Sequence, residues 1–266
     1  MPDIDPRILG HYAAGIERDR LADGVGQVEF LRTQELLSRV LPPPPAVVLD
    51  VGGGAGVHAG PLAARGFEVH LIDLVPLHIE QARAVPGLAS VSVGDARGLD
   101  WPDSSVDVVL LLGPLYHLTE RGERVRALAE GRRVLRPGGV VVAAAISRYA
   151  SALDGLFRGH LRAPGFEAIV ERDLTDGQHR NPNDIPGWFT TAYFHLPEEL
   201  LAEAVEAELE GLRVLAVEGP VWQLPDLDRW LAEDRELLLR TIRRLESAPA
   251  LLGASPHLLL MGHAMR

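Results

Sequence analysis

The sequence predicts an α/β protein in which helices cover both faces of a mostly parallel sheet. Three observations predict it. Short apolar runs alternate with helix-length amphipathic stretches from about residue 47 to residue 145, the rhythm of a doubly wound sheet. One run, 106–112, is apolar almost throughout, as expected of a strand covered on both faces. A loop with glycine at Gly52, Gly53, Gly54 and Gly56 follows the first run directly.

The elements follow in order. A helix is expected over about 31–40, and Pro42-Pro43-Pro44-Pro45 makes a stiff lead into a strand over 47–51. A helix over about 58–65 stops at Gly66, a natural C-cap. The second strand, 68–72, ends at Asp73; a helix over 77–84 is stopped by Pro86-Gly87; the third strand spans 90–93. After the fourth strand, 106–112, a helix over 121–135 stops at Pro137-Gly138-Gly139, and the fifth strand spans 140–145. Residues 148–196 carry scattered aromatics, Pro, Gly and Asn without a clean strand pattern, so they are expected to form a lid. Alternation resumes with a helix over 197–208, a strand over 212–218, an amphipathic segment over 227–245 and a last strand over 257–264. The organisation expected is therefore an N-terminal flap and cofactor half (1–147), a lid for substrate (148–196), and the rest of the same sheet (197–266).

The chain of 266 residues is long enough for a substantial core, and 47% hydrophobic with 24% charged residues is ordinary for a soluble globular protein. It has no apolar run long enough for a membrane span and no signal-peptide pattern, so no membrane partner is expected. Zero cysteines exclude disulfides, cysteine zinc sites and thiol nucleophiles, which leaves a cytoplasmic location as the expectation. All 26 basic residues are arginine, so no lysine Schiff base is available. The net charge of −11 argues against a broad phosphate-binding surface. None of His160, His179, His195, His257 and His263 falls in a tight metal-binding pair, and no metal is expected. Ser147 and Ser151 lack the glycine context of a nucleophile elbow.

The glycine loop bears most on function. Glycine reaches positive φ without penalty and leaves no side chain between backbone and ligand, and the helix after it presents free N–H groups. Two kinds of α/β domain use such a loop. Gly54-Ala55-Gly56-Val57-His58-Ala59 followed by Asp73 fits a dinucleotide site. Asp50 ahead of the first glycine favours the other kind. A pyrophosphate pocket gains nothing from a carboxylate there, whereas a ligand carrying a sulfonium and an ammonium tolerates or welcomes it.

With Asp50-x-Gly-x-Gly-x-Gly, Asp73, Gly94-Asp95-Ala96-Arg97 and Leu135-Arg136-Pro137-Gly138-Gly139 in this order, the span from about 31 to 145 resembles the class I S-adenosylmethionine-dependent methyltransferases of the type 11 family. The resemblance implies a Rossmann-like, seven-stranded sheet whose C-terminal strand inserts antiparallel between strands five and six. It implies S-adenosylmethionine as cofactor and S-adenosylhomocysteine as product. Gly52, Gly54 and Gly56 would let the backbone approach the methionine part and ribose. Asp73, with Leu74 beside it, would take the ribose hydroxyls, a carboxylate accepting two; the alternative is a helix cap. Asp95 and the Ala96 N–H would read adenine, unless Asp95 is a solvated loop acid. Leu112 would lie near the sulfonium, and Asp50 would hold the loop or a water. Arg32 would pair with the cofactor carboxylate, while Tyr12 and Arg20 would fold over it as a flap or simply pack.

Methyl transfer needs alignment, exclusion of water and, for a hydroxyl or protonated amine, a base. His117 is the candidate, with a structural histidine as the alternative. Tyr116, Arg148, Tyr149 and Tyr193, with Trp188 and His195, are candidate substrate contacts or packing residues. The leading expectation is a methyltransferase acting on a small metabolite or natural-product intermediate. A tRNA-nucleoside methyltransferase using a lid patch of Arg158, Arg162, Arg172 and Arg180 is the second, and a non-catalytic binding protein that keeps the fold is the third.

Overall fold

The computed structural model describes residues 5–13 and 20–265. Two helices lead in: α1 (Pro6–Ala13) and α2 (Gly24–Val40). Of the expected flap, α1 and Arg20 are described; residues 14–19 lie outside the described residues.

The alternating part follows as β1 (Val47–Val51), α3 (Ala59–Ala64), β2 (Glu68–Asp73), α4 (Pro76–Ala82), β3 (Ser90–Val93), β4 (Val106–Leu111), the single turn α5 (Pro114–His117), α6 (Arg121–Val134) and β5 (Leu135–Ser147). Next come α7 (Ala150–Phe157), α8 (Phe166–Asp176), β6 (Gln178–His179) and β7 (Ala192–His195). The chain ends with α9 (Pro197–Glu206), β8 (Glu210–Ala216), α10 (Leu227–Glu233), α11 (Arg235–Leu245) and β9 (His257–His263).

The strands run β3-β2-β1-β4-β5 in parallel. The terminal β9 lies antiparallel between β5 and β8, pairing Val140 with His263 on one side and Leu215 with Leu259 on the other. The inserted antiparallel last strand is as expected, while the sheet has nine strands in place of seven, β7 and β6 being added beside β5. Period-two alternation sorts the core. Leu49, Val51, Val109, Leu111, Val141 and Ala143 pack with Leu128 and Leu200 on one face. Val48, Val108, Leu110, Val140 and Val142 pack with Leu36, Leu37, Leu62 and Ile79 on the other. Every apolar residue of β4 is buried, which explains its continuous apolar run.

Helix α2 starts at Gly24, ahead of the expected 31, and three further elements differ in form. The fifth strand starts at Leu135 because Leu135 already pairs with Val106, and a register shift absorbs Pro137-Gly138-Gly139 before Val140 pairs with Val108. A side chain at Gly139 would press its Cβ to 3.0 Å from the Asp107 carbonyl. The segment 227–245 is two helices, broken at Asp234, whose φ of −131° and ψ of 29° lie outside the helical region. Within 148–196, where no strand was expected, β7 pairs parallel with Ile146 and Ser147 at the end of β5, and antiparallel with β6. Four residues among Thr, Gly and Pro carry too little pattern to be seen in sequence, yet all four are buried.

Candidate functional site

The carboxyl ends of β1, β2 and β4 converge on a cavity of about 580 Å³. The glycine loop forms its floor. Gly52 and Gly53 donate backbone hydrogen bonds to the Ile72 carbonyl (2.7 and 3.2 Å), which pins the loop to β2. Gly52 (φ +68°) packs so closely on α5 that a Cβ would lie 2.7 Å from Pro114. Gly54 (φ +56°) would meet nothing within 4 Å, so its face is bare and open to a ligand. Gly56 (φ +85°) turns the chain into α3 against Val85.

Asp73, buried at the end of β2, organises this floor. Its Oδ2 accepts from the Gly54 N–H at 2.9 Å, and its Oδ1 accepts from the Val75 N–H at 2.8 Å. His78 Nδ1 lies 3.1 Å from the same Oδ1. Asp73 thus ties two loops together while lining the cavity beside Leu74. Asp95 and Ala96 line the far wall. There Arg97 forks onto the Asp95 carboxylate, with Nη2 2.7 Å from Oδ2, and donates its own N–H to Oδ1 at 2.8 Å. Burial alone would raise the Asp95 pKa; the Arg97 bonds overcome it and lower it.

Asp50 is the unusual group. Expected to hold the loop or a water, its side chain holds neither loop nor neighbour: it is 1% exposed, and both carboxylate oxygens lack a hydrogen-bond partner. Burial, and then the nearby negative charge of Asp73, push its pKa up to about 7. It lines the cavity beneath Gly53, whose Cβ would press to 2.7 Å from it. An uncompensated buried carboxylate is costly, and a cation delivered by a ligand would relieve it. The residues therefore fit a ligand that brings positive charge to the glycine loop.

Above the floor, Tyr12 from α1 covers the opening. Its ring meets His78 and His117 edge-on, with centroids 5.1 and 5.3 Å apart, and its hydroxyl bonds His117 Nε2. His117 Nδ1 faces the Thr191 carbonyl at 3.3 Å, so both ring nitrogens are engaged. Tyr12 and Tyr116 also border a second, larger cavity of about 1340 Å³. Ile146, Phe166, Trp188, Phe189 and Trp222 line part of it with apolar and aromatic surface, and Arg7, Glu29, Asp154, Arg158, Asp184 and Asp228 line the rest with charge. The two spaces share one wall, an arrangement suited to a group passing from one occupant to another.

Not every expected site residue reaches these cavities. Arg32 is fully buried elsewhere. It bonds Glu35, Glu246 and the Val217 carbonyl, in a charged seam between α2 and the end of α11. A guanidinium saturated by two carboxylates and lining neither cavity is not placed to meet a cofactor carboxylate. Arg148 and Tyr193 are likewise turned away. Arg148 grips Glu199 (2.6 Å) and the Phe194 carbonyl (2.8 Å), while the Tyr193 ring lies under the Arg124 guanidinium at 3.6 Å. Tyr149 is 43% exposed, packs against Gly253 and lines neither cavity. His195 is fully buried on Glu203. Of the expected substrate contacts, Tyr116, His117 and Trp188 line the cavities, joined by Leu112 on the cofactor side.

Other groups were not visible in sequence. Glu29, Glu218 and His257 bring ligand-type atoms within 4.8 Å of one another, although they are far apart in the chain. Arg20 already grips Glu29 at 2.5 and 2.9 Å, and His257 donates to Glu218 at 2.6 Å, so the group is an ion-pair cluster. Burial opposes a charge on His257, but the carboxylates of Glu29 and Glu218 raise its pKa to about 9. His179 and Asp173 form a buried pair at 2.8 Å beside the larger cavity. The signal for that pair was Gly177: as a left-handed C-cap (φ +75°) it turns the chain back so that residue 179 meets residue 173.

Comparison with known proteins agrees with this geometry. Residues 48–139 match a family model described as a methyltransferase domain. The chain is 32% identical over 234 residues to the 2-methyl-6-phytyl-1,4-hydroquinone methyltransferase of Synechocystis, covering 84% of this chain and 64% of that protein. It is 31% identical over 166 residues to a ubiquinone biosynthesis O-methyltransferase of Xanthomonas campestris, covering 58% of this chain and 65% of the relative. The chain thus spans somewhat under two thirds of the length of these relatives. An S-adenosylmethionine-dependent methyltransferase of Thermotoga maritima superposes with a TM-score of 0.61 at 19% identity, covering 96% of this chain and 98% of that one, which shows a shared fold. Residues 48–139 thus match a methyltransferase domain, and the chain shares the fold of S-adenosylmethionine-dependent methyltransferases.

Proposed function

We propose that this protein transfers the methyl group of S-adenosylmethionine to a small, largely apolar acceptor bearing a hydroxylated ring. The observation that carries the cofactor half is the unpartnered, buried Asp50 beneath the bare Gly54 face. S-adenosylmethionine supplies an activated methyl on a sulfonium, so the protein must position, exclude water and manage a proton. Gly52, Gly54 and Gly56 would receive the amino-acid part and ribose, with the ammonium compensating Asp50. Asp73 keeps lone pairs for ribose hydroxyls beyond the bonds it already accepts. Ala96 and Asp95 would border adenine, the latter held rigid by Arg97. Tyr12, bonded to His117, would close the cofactor in, which makes His117 a clasp for the flap more than a base.

The acceptor half rests on the aromatic side of the cavity across Tyr116 and on relatives named for a hydroquinone substrate and for O-methylation in ubiquinone biosynthesis. The lid arginines give nucleic acid little support. Arg158 pairs with Asp154 at 2.9 Å, and Arg180 bonds the Gln178 side chain and the His179 carbonyl. Calorimetry is expected to show binding of S-adenosylmethionine and S-adenosylhomocysteine and none of NAD. Methylhydroquinone with labelled S-adenosylmethionine is expected to yield methylated product. Binding of NAD without either adenosyl ligand would overturn the cofactor reading. Salt-sensitive binding and methylation of tRNA in place of methylhydroquinone would overturn the acceptor reading.

A further inference from the structure

The larger cavity is bordered by a histidine with the features of a base. His179 is 3% exposed and lines the space below Phe189, the aromatic that also packs against Tyr116 and His117. Its ring stacks flat on Phe194, with centroids 4.5 Å apart and planes 7° from parallel, so its orientation is fixed. Nδ1 lies 2.8 Å from Asp173 Oδ2; a carboxylate only accepts, so Nδ1 carries the hydrogen and Nε2 a bare lone pair. That Nε2 has no hydrogen-bond partner, and neither has the other oxygen of Asp173. Asp173 is fully buried, and His179 is the partner of its side chain. A buried carboxylate in this position stabilises an imidazolium, as the aspartate of a catalytic triad does. His117 lacks these features, since Tyr12 and Thr191 occupy both its nitrogens.

We propose that His179 is the general base for the acceptor and Asp173 its positioning residue, so that the acceptor is a phenol-type molecule whose hydroxyl ionises before attack. The inference rests on the reading of the larger cavity as the acceptor site. The acceptor O–H gives its proton to His179 Nε2. The oxygen lone pair forms the new bond to the methyl carbon as the carbon–sulfur bond breaks, and that electron pair remains on sulfur. His179 then yields its proton to water as product leaves. Deprotonation by a placed base is worth roughly 100-fold to 10,000-fold in rate.

The test uses para-nitrophenol, whose phenolate is coloured, with the protein saturated in S-adenosylhomocysteine. The bound probe is expected to ionise with a midpoint about one pH unit below that of the free probe, a ten-fold larger ionisation constant, and the effect is expected to vanish in His179→Gln and to fall several-fold in Asp173→Asn. Asparagine still accepts from Nδ1, so a purely structural Asp173 would leave ionisation unchanged. S-adenosylhomocysteine affinity and thermal midpoint, measured alongside, show that each variant is folded; His179→Phe, which keeps the stack on Phe194, serves if His179→Gln is not. No binding of the probe up to about 1 mM would sink the acceptor-site reading itself. Binding with equal ionisation in wild type and variants would leave that reading standing and overturn the base.

Discussion

At the scale of single residues, Asp50 is the most informative side chain, because the fold puts a carboxylate where nothing in the protein answers its charge. Its pKa of about 7 exceeds the unfolded value, so between roughly pH 4 and pH 7 the folded state binds more protons than the unfolded one. Stability of the cofactor-free protein therefore falls as pH rises through that window. A bound ammonium reverses the balance by favouring the ionised form. S-adenosylhomocysteine is expected to bind more tightly at about pH 8 than at about pH 6, with release of up to about one proton at the lower pH. Calorimetry in buffers of different ionisation enthalpy measures that proton directly. Asp50→Asn is expected to weaken binding by about 1.5–3 kcal/mol, to abolish the pH dependence and to raise the thermal midpoint near pH 8. A variant that binds as tightly as wild type, with the same proton release, would take Asp50 out of cofactor binding.

At the scale of elements, one buried ion pair holds two helices together. Arg124 of α6 meets Glu203 of α9 at 2.6 Å, both almost fully buried, and donates further bonds to the Leu118 and Thr119 carbonyls at 2.9 Å. His195 at the end of β7 joins through Glu203 at 3.2 Å, so the pair also anchors the hairpin beside the larger cavity. Truncating one partner strands the other charge in the interior. Arg124→Met is expected to cost about 3–5 kcal/mol in denaturant unfolding, and adding Glu203→Leu to recover much of the loss. If the double variant were as unstable as the single one, packing of the guanidinium over Tyr193 would be the source of the stability. The elements themselves were largely legible in sequence. Strands 47–51 and 90–93 are found with those bounds because apolar periodicity and flanking glycines are local signals. β7 escaped because its burial comes from α5 and β5 on either side, which its own four residues do not encode.

At the scale of the whole molecule, the sheet supplies the cofactor cavity, and residues 148–196 with α1 and the 3₁₀ turn at Trp222 enclose the larger one. We propose that 148–196 acts as a lid that orders around acceptor. Hydrogen exchange is expected to show S-adenosylhomocysteine protecting the 52–58 loop and the 73–78 turn, and a bound phenol adding protection mainly within 148–196. Equal protection of the lid by cofactor alone, or none on adding the phenol, would reject this division. No helix among the described residues is long and apolar enough to cross a membrane.

What the sequence by itself determined was the alternation of strands and helices of a parallel sheet and the glycine loop, because period, turn glycines and the Asp50–Gly56 and Asp73 spacings are written in neighbouring residues. Asp73, Gly52, Gly53 and Gly54 line the cavity, while Gly56 packs against Val85. What the tertiary structure decided was which charged side chain meets which. Arg32 finds Glu246, 214 residues away, and is spent there; Arg148 finds Glu199; Asp50 finds nothing. His179 emerged with a buried, unpartnered Nε2 in a pair with Asp173, while His117 became tied to Tyr12. The physical reason is the same in each case: backbone conformation follows local sequence, but a buried charge is satisfied by whatever the completed packing brings within about 3 Å.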